Sequence, residues 1–168
     1  TTIPGIAKVL WSEKGRGALL RYLDQDSLKT VHLFLPASGA TTSAASTRIQ
    51  FLPTGITSLG VSPDGENVTY LVKTASGSDG YTSRADGGDA KKLFSLPLSQ
   101  IQVSWPSQGT LLAQSASEAG TAGVVFSIDS KTGGVSPLIY APGITATADR
   151  SFSRVVYQTA NNLRSTYV

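Results

Sequence analysis

The stretch Gly55–Phe94, GITSLGVSPDGENVTYLVKTASGSDGYTSRADGGDAKKLF, decides the fold. Ile56 to Val61 is a short strand with Ile56, Leu59 and Val61 apolar. Pro63-Asp64-Gly65 makes a turn, since Pro fixes φ at the first corner and Gly takes the positive φ that ends it. Asn67 to Thr74 is rich in β-branched and aromatic residues, and Val68, Tyr70 and Val72 alternate with Thr69, Leu71 and Lys73. Ser76 to Gly80 reads as a second turn and Tyr81 to Arg84 as a third strand. Ala85 to Asp89 is a third turn, and Lys91 to Ser95 a fourth strand carrying Leu93 and Phe94. Short strands punctuated by Gly/Asp turns predict an antiparallel meander, whose faces need neighbouring sheets to cover them.

The run VSPDG-ENVTYLV followed by GYTSRADGGDAKKLF resembles the repeat of TolB-type β-propellers. In that family an SPDG turn joins the first two strands of a blade, and a Tyr…Asp-Gly…Leu segment makes the third strand, its turn and the fourth strand. Val61, Ser62, Pro63, Asp64, Gly65, Tyr81, Asp86, Gly87 and Leu93 match that pattern. The resemblance implies an all-β propeller that acts as a protein-interaction platform in the bacterial envelope. Similar propellers also gate the catalytic domains of prolyl-oligopeptidase-like hydrolases.

The rest of the chain reads as looser copies of the same unit. Endings at Thr1–Gly5, Phe51–Gly55 and Tyr140–Gly143 are each followed by an isoleucine that opens a unit: Ile6, Ile56 and Ile144. The units run over about 6–55, 56–100, 101–143 and 144–168, giving about three and a half four-stranded antiparallel blades. Their turns are expected at Trp11–Gly15, Pro63–Gly65, Trp105–Gly109 and Ala148–Ser151, with Gly15, Gly65, Gly109 and Ser151 equivalent. Apolar residues nowhere keep a helical period, so almost no helix is predicted. An incomplete ring exposes apolar flanks. The favoured reading is a part of a larger propeller. The alternative closes on itself or on another copy, with Thr1 to Gly5 lending fourth-strand residues to the last blade.

Composition narrows the function classes. Cysteine and methionine are absent, so disulfide, thiolate-metal and cysteine-nucleophile chemistry are excluded. A chain beginning Thr1-Thr2 is expected to be processed or part of something longer. No signal peptide is read, and no apolar run approaches the ~18 residues of a membrane-spanning helix. The net charge is only +3 and the basic residues are scattered, apart from Lys91-Lys92, so no phosphate-tracking stripe for nucleic acid is seen. Abundant Ser, Thr, Gly and Ala with few Lys and Glu suit a periplasmic, cell-surface or secreted protein.

Candidates for chemistry have bland readings. The lone histidine, His32, sits in a strand with no nucleophile motif beside it. Glu13, Asp24, Asp26, Asp64, Asp79, Asp86 and Asp129 all lie in or beside turns, where a carboxylate bonds its own backbone. Asp24-Gln25-Asp26 and Asp86-Gly87-Gly88-Asp89 offer oxygens for calcium but do not match the EF-hand spacing. Trp11 and Trp105 occupy equivalent positions and read as inter-blade packing, with a stacking platform for a sugar or peptide as the functional alternative. Tyr70 and Tyr157 read as an equivalent core pair. No catalytic, cofactor or metal residue is assigned, and no cofactor is expected. A protein partner is expected at loops such as Ala37–Ser46 and Ser115–Gly123. Pairing of open blade edges between copies, as in a structural subunit of a surface assembly, is the third reading.

Overall fold

The computed structural model describes residues 5–11, 17–34, 48–116, 121–159 and 163–167. These form fifteen strands and no helix, and hence no helix long and apolar enough to cross a membrane. The first sheet holds β1 (Ile6–Trp11), β2 (Gly17–Asp24), β3 (Ser27–Phe34) and β4 (Arg48–Phe51). The second holds β5 (Ile56–Val61), β6 (Asn67–Thr74), β7 (Gly77–Arg84) and β8 (Lys91–Leu96). The third holds β9 (Ile101–Ser107), β10 (Thr110–Ser115), β11 (Ala122–Asp129) and β12 (Val135–Pro142). The fourth has three strands, β13 (Thr145–Ala148), β14 (Arg154–Gln158) and β15 (Leu163–Tyr167). Within every sheet the strands lie side by side in chain order, all antiparallel. This is the expected all-β arc of propeller blades.

The sheets pack face to face. Directly paired residues share a face, and successive residues alternate. In β6, Val68 and Tyr70 turn back toward the first sheet and pack with Leu19 and Leu52. Leu71 turns forward, with Phe94 and Leu96, onto Ile101, Val103, Leu111, Ala113 and Ile128 of the third sheet. The third sheet sends Leu112 and Val125 onto Ile144 of the fourth. Each sheet thus has a leading face toward its predecessor and a trailing face toward its successor. Tyr70 and Tyr81, paired across β6 and β7, stack with ring centroids 5.5 Å apart.

Several strand limits differ from the sequence reading. Ser76 to Gly80 is not a turn: Ala75-Ser76 alone turns, and Gly77 to Gly80 already belongs to β7. The glycine signal there reflects close approach, because the ring of Phe94 lies over Gly80 and a Cβ would meet it at 2.2 Å. Trp105 to Ser107 continue β9, so the third sheet turns only at Gln108-Gly109. Ala122 and Gly123 belong to β11 rather than to the preceding loop.

The fourth turn is offset by one residue from its expected equivalence. In the second sheet Ser62 N–H bonds Asn67 O and Gly65 N–H bonds Ser62 O. The same two bonds recur as Asp149 N–H to Arg154 O and Phe152 N–H to Asp149 O. Phe152, not Ser151, therefore stands in the place of Gly65, with φ of 55° against 74°. Asp149 supports this conformation by accepting bonds from Ser151 Oγ, Ser153 N–H and Arg154 N–H. The bonds hold its carboxyl well below the usual carboxylate range. Gly15 and the rest of the first turn lie outside the described residues, as do the Thr1–Pro4 ending and the turn at 160–162.

Gly80→Ala places a methyl inside the Phe94 ring. It is expected to lower unfolding stability by about 1–3 kcal/mol, the usual cost of overpacking a filled core, as read by urea unfolding.

Candidate functional site

The first strands of all four sheets converge on one hollow, and its two ends differ in chemistry. One end is polar. Lys8, Arg21, Thr57, Ser58, Gln102, Gln114 and Thr147 surround about 420 Å³ there. The other end, about 400 Å³, is rimmed by Trp11, Pro63, Trp105, Pro106, Ala148 and Arg150, and Lys8 lines both ends. The strand period explains the convergence. Each first strand is the innermost of its sheet and borders the axis, joined at the polar end by Arg21 of β2 and Gln114 of β10, while its alternate residues serve the joints.

Side-chain bonds to backbone pin the polar end. Arg21 of β2 donates to Ile56 O at 2.5 Å and Thr57 O at 3.3 Å in the next sheet. Ser58 Oγ accepts from Val103 N–H at 2.9 Å. Gln114 Oε1 accepts from Ala146 N–H at 2.7 Å. Arg21 pairs with Lys8 in its sheet as Gln114 pairs with Gln102 in its own, so the two hold the same register position. Leu71 holds that position in the second sheet, paired with Ser58, and there apolar packing replaces the polar link. Arg21 is buried, and desolvation lowers its pKa.

His32 is buried on the trailing face of the first sheet. A Cβ on Gly17 would meet its Nε2 at 2.5 Å. Across the joint it faces the Ala85-Asp86 turn, hydrogen-bonding the Ala85 backbone. Burial lowers its pKa, against the opposing effects of Asp86 and of that backbone bond.

The described carboxylates serve their own surroundings. Asp24 pairs with Lys29, and Asp79 accepts from Lys92 and Ser95. Asp64 takes Ser62 Oγ and Glu66 N–H; Asp86 takes Arg84 and Gly88 N–H; Asp129 takes the N–H groups of Lys131 and Thr132. Gln25 and Asp26 carry φ of 45° and 66°, the conformation of a two-residue hairpin turn. Among the described residues no three metal-ligating side chains cluster. Glu13, the loop Ala37–Ser46 and residues 117–120 lie outside the described residues.

The tryptophans separate. Trp105 packs against the joint between the second and third sheets, as inter-blade packing requires. Trp11 is 66% exposed, so its expected packing role is not met among the described residues. Tyr70 and Tyr157 do occupy equivalent register positions on leading faces, paired beside Leu59 and Ala146. Sequence reading passed over Lys8, Arg21, Gln114 and Pro106. The available signal was polar residues recurring in the first two strands of successive units.

One titration isolates the His32 environment, because it is the chain's single histidine. Its native pKa is depressed, so the unfolded chain binds a proton first as pH falls below the ordinary value of about 6.5. Stability is therefore expected to fall between pH 7 and pH 5.5, measured as the thermal midpoint. His32→Gln should flatten that dependence whatever it does to the midpoint itself.

No protein-family model matches the chain, and no curated protein sequence matches it. Solved structures do. TolB from Acinetobacter baumannii superposes over 97% of this chain with a TM-score of 0.67 at 12% identity. The β-propeller domain of the Trilobed protease from Pyrococcus furiosus, described as having an open velcro topology, covers 90% with a TM-score of 0.58 at 15% identity. A nidogen/laminin complex structure covers 95% with a TM-score of 0.56 at 8% identity. This chain spans 41%, 48% and 64% of those chains respectively. At these identities the likeness carries the fold, and that fold is the TolB-like β-propeller.

Proposed function

We propose that the chain is a non-catalytic propeller module that binds a protein partner at the Trp/Pro rim of its hollow. The observation that carries this reading is the rim itself. Trp11, Trp105, Pro63 and Pro106 present rigid apolar surface around an opening that Lys8 also lines. Rigid aromatic and proline surface costs little side-chain entropy when it is covered, and tryptophan is enriched among binding hot spots. An extended segment carrying an apolar side chain and a carboxylate fits that chemistry. The described aspartates, by contrast, are engaged in turns and ion pairs rather than gathered in the hollow.

The resemblance to TolB-type propellers adds an exported or cell-surface setting and a platform role. The nidogen/laminin likeness supports protein binding in the same way. The Trilobed protease likeness favours a second reading, a propeller that gates a hydrolase domain. A catalytic domain with a GxSxG motif in the same polypeptide, and a change in its substrate size limit when the rim is altered, would decide for that reading.

The test uses the rim's own fluorophore. Trp11→Phe leaves Trp105 as the sole tryptophan. Peptides selected on the folded chain from a displayed library should be rich in apolar and acidic residues and should shift Trp105 emission on titration. Lys8→Glu is expected to weaken them about tenfold, or about 1.4 kcal/mol. Selected peptides that leave Trp105 emission and the Lys8→Glu affinity unchanged would place binding elsewhere.

A further inference from the structure

We infer that the polar end of the hollow is a binding site for a small hydroxylated carboxylate, such as a sugar acid. The inference goes beyond the rim reading and does not depend on it. Its starting point is a buried charge without a counter-ion. Arg21 is 8% exposed, and its guanidinium donates only to the carbonyls of Ile56 and Thr57. Its Nε has no hydrogen-bond partner. Among the described residues Arg21 forms no ion pair. Buried charges are ordinarily paired, because carbonyl dipoles alone only partly offset the lost hydration.

The cavity beside Arg21 has the same imbalance. Lys8 pairs with Arg21 across β1 and β2, lines the cavity, and forms no ion pair among the described residues. No described acidic residue lines it. Two cations therefore border about 420 Å³ with no described carboxylate beside them. That volume lies within the ~300–1,000 Å³ of ordinary small-molecule pockets. The site is assembled by the joints between the sheets. Arg21 bonds the second sheet, Ser58 the third and Gln114 the fourth.

The neutral groups set the class of anion. Gln114 uses its Oε1 for Ala146 N–H and keeps two N–H donors. Ser58 uses an oxygen lone pair for Val103 N–H and keeps its own proton to donate. Gln102 and Thr147 add an amide and a hydroxyl. Such groups both donate and accept, and so match the hydroxyls of a ligand. Phosphate is better served by free backbone N–H groups or an open arginine fork. Here the Val103 and Ala146 N–H groups are taken, and both terminal nitrogens of Arg21 already donate to carbonyls. Lys8 is left to meet the carboxylate, with Arg21 acting through its field.

Gluconate and galacturonate test this on the whole chain, with sorbitol and galactose as their uncharged counterparts. At millimolar concentration and fixed sodium chloride, at least one acid is expected to raise the thermal midpoint and to saturate in calorimetric titration. The uncharged counterparts should do neither. Lys8→Gln should weaken the acid about tenfold. Gln102 is an exposed residue of β9, and Gln102→Glu gives the cavity a carboxylate of the protein's own. It should raise the midpoint of the ligand-free chain and abolish the response to the acid. Trp11 and Trp105 lie outside the polar end, so peptide binding at the rim holds or fails separately. Equal shifts from acetate, sulfate and the two acids would overturn the proposal. So would a response that survives both substitutions, or no saturable response to either acid.

Discussion

Everything in this molecule depends on sheet-against-sheet packing. A four-stranded antiparallel sheet cannot bury its own apolar face, and its stability comes from the neighbour that covers it. The joint between the second and third sheets shows the principle most fully. Leu71, Leu111 and Ile128 are wholly buried there, drawn from three strands of two sheets. Removing any of their contacts leaves a cavity between layers rather than within one, so the sheets are coupled in stability even though each contacts only its neighbours.

The joints also set how the hollow is built. Apolar packing holds two sheets together without fixing how far one slides along the other. Arg21, Ser58 and Gln114 supply that fixity by bonding directly to backbone in the next first strand. Their bonds satisfy main-chain groups that the innermost strands leave unpaired on the axis side. The outcome is a rigid polar end, from which the Trp/Pro rim at the other end is held at a defined spacing. The positioning bonds and the surface proposed to bind a partner therefore sit at opposite ends of the same strands.

Much of this was legible in the sequence because local and global signals agree in the second unit. The alternation through Val68–Val72 and the Pro-Asp-Gly turn each predict the strand and corner that form. Reading went astray where a residue type serves two purposes. Gly77 and Gly80 look like turn residues, yet Gly80 is small because a phenylalanine ring occupies its side-chain space. Phe152 looks unsuited to a positive φ and is held there by Asp149 and by packing beside Tyr157. The hollow was the least visible feature. Its residues are scattered over the first two strands of separate units, and only the packing of the four sheets gathers them.

The exposure of Trp11 joins these threads. Trp11 and Trp105 end the apolar rows of their first strands at the same place in the repeat, and among the described residues only Trp105 packs against a neighbouring sheet. The difference lies in the neighbours, not in the residue or its strand. Among the described residues, Trp11 shares the leading face of the first sheet with Ile49 and Phe51, which are exposed like it. The same residue type at the same place in the repeat therefore does different work in the two sheets, buried against a joint in one and exposed in the other.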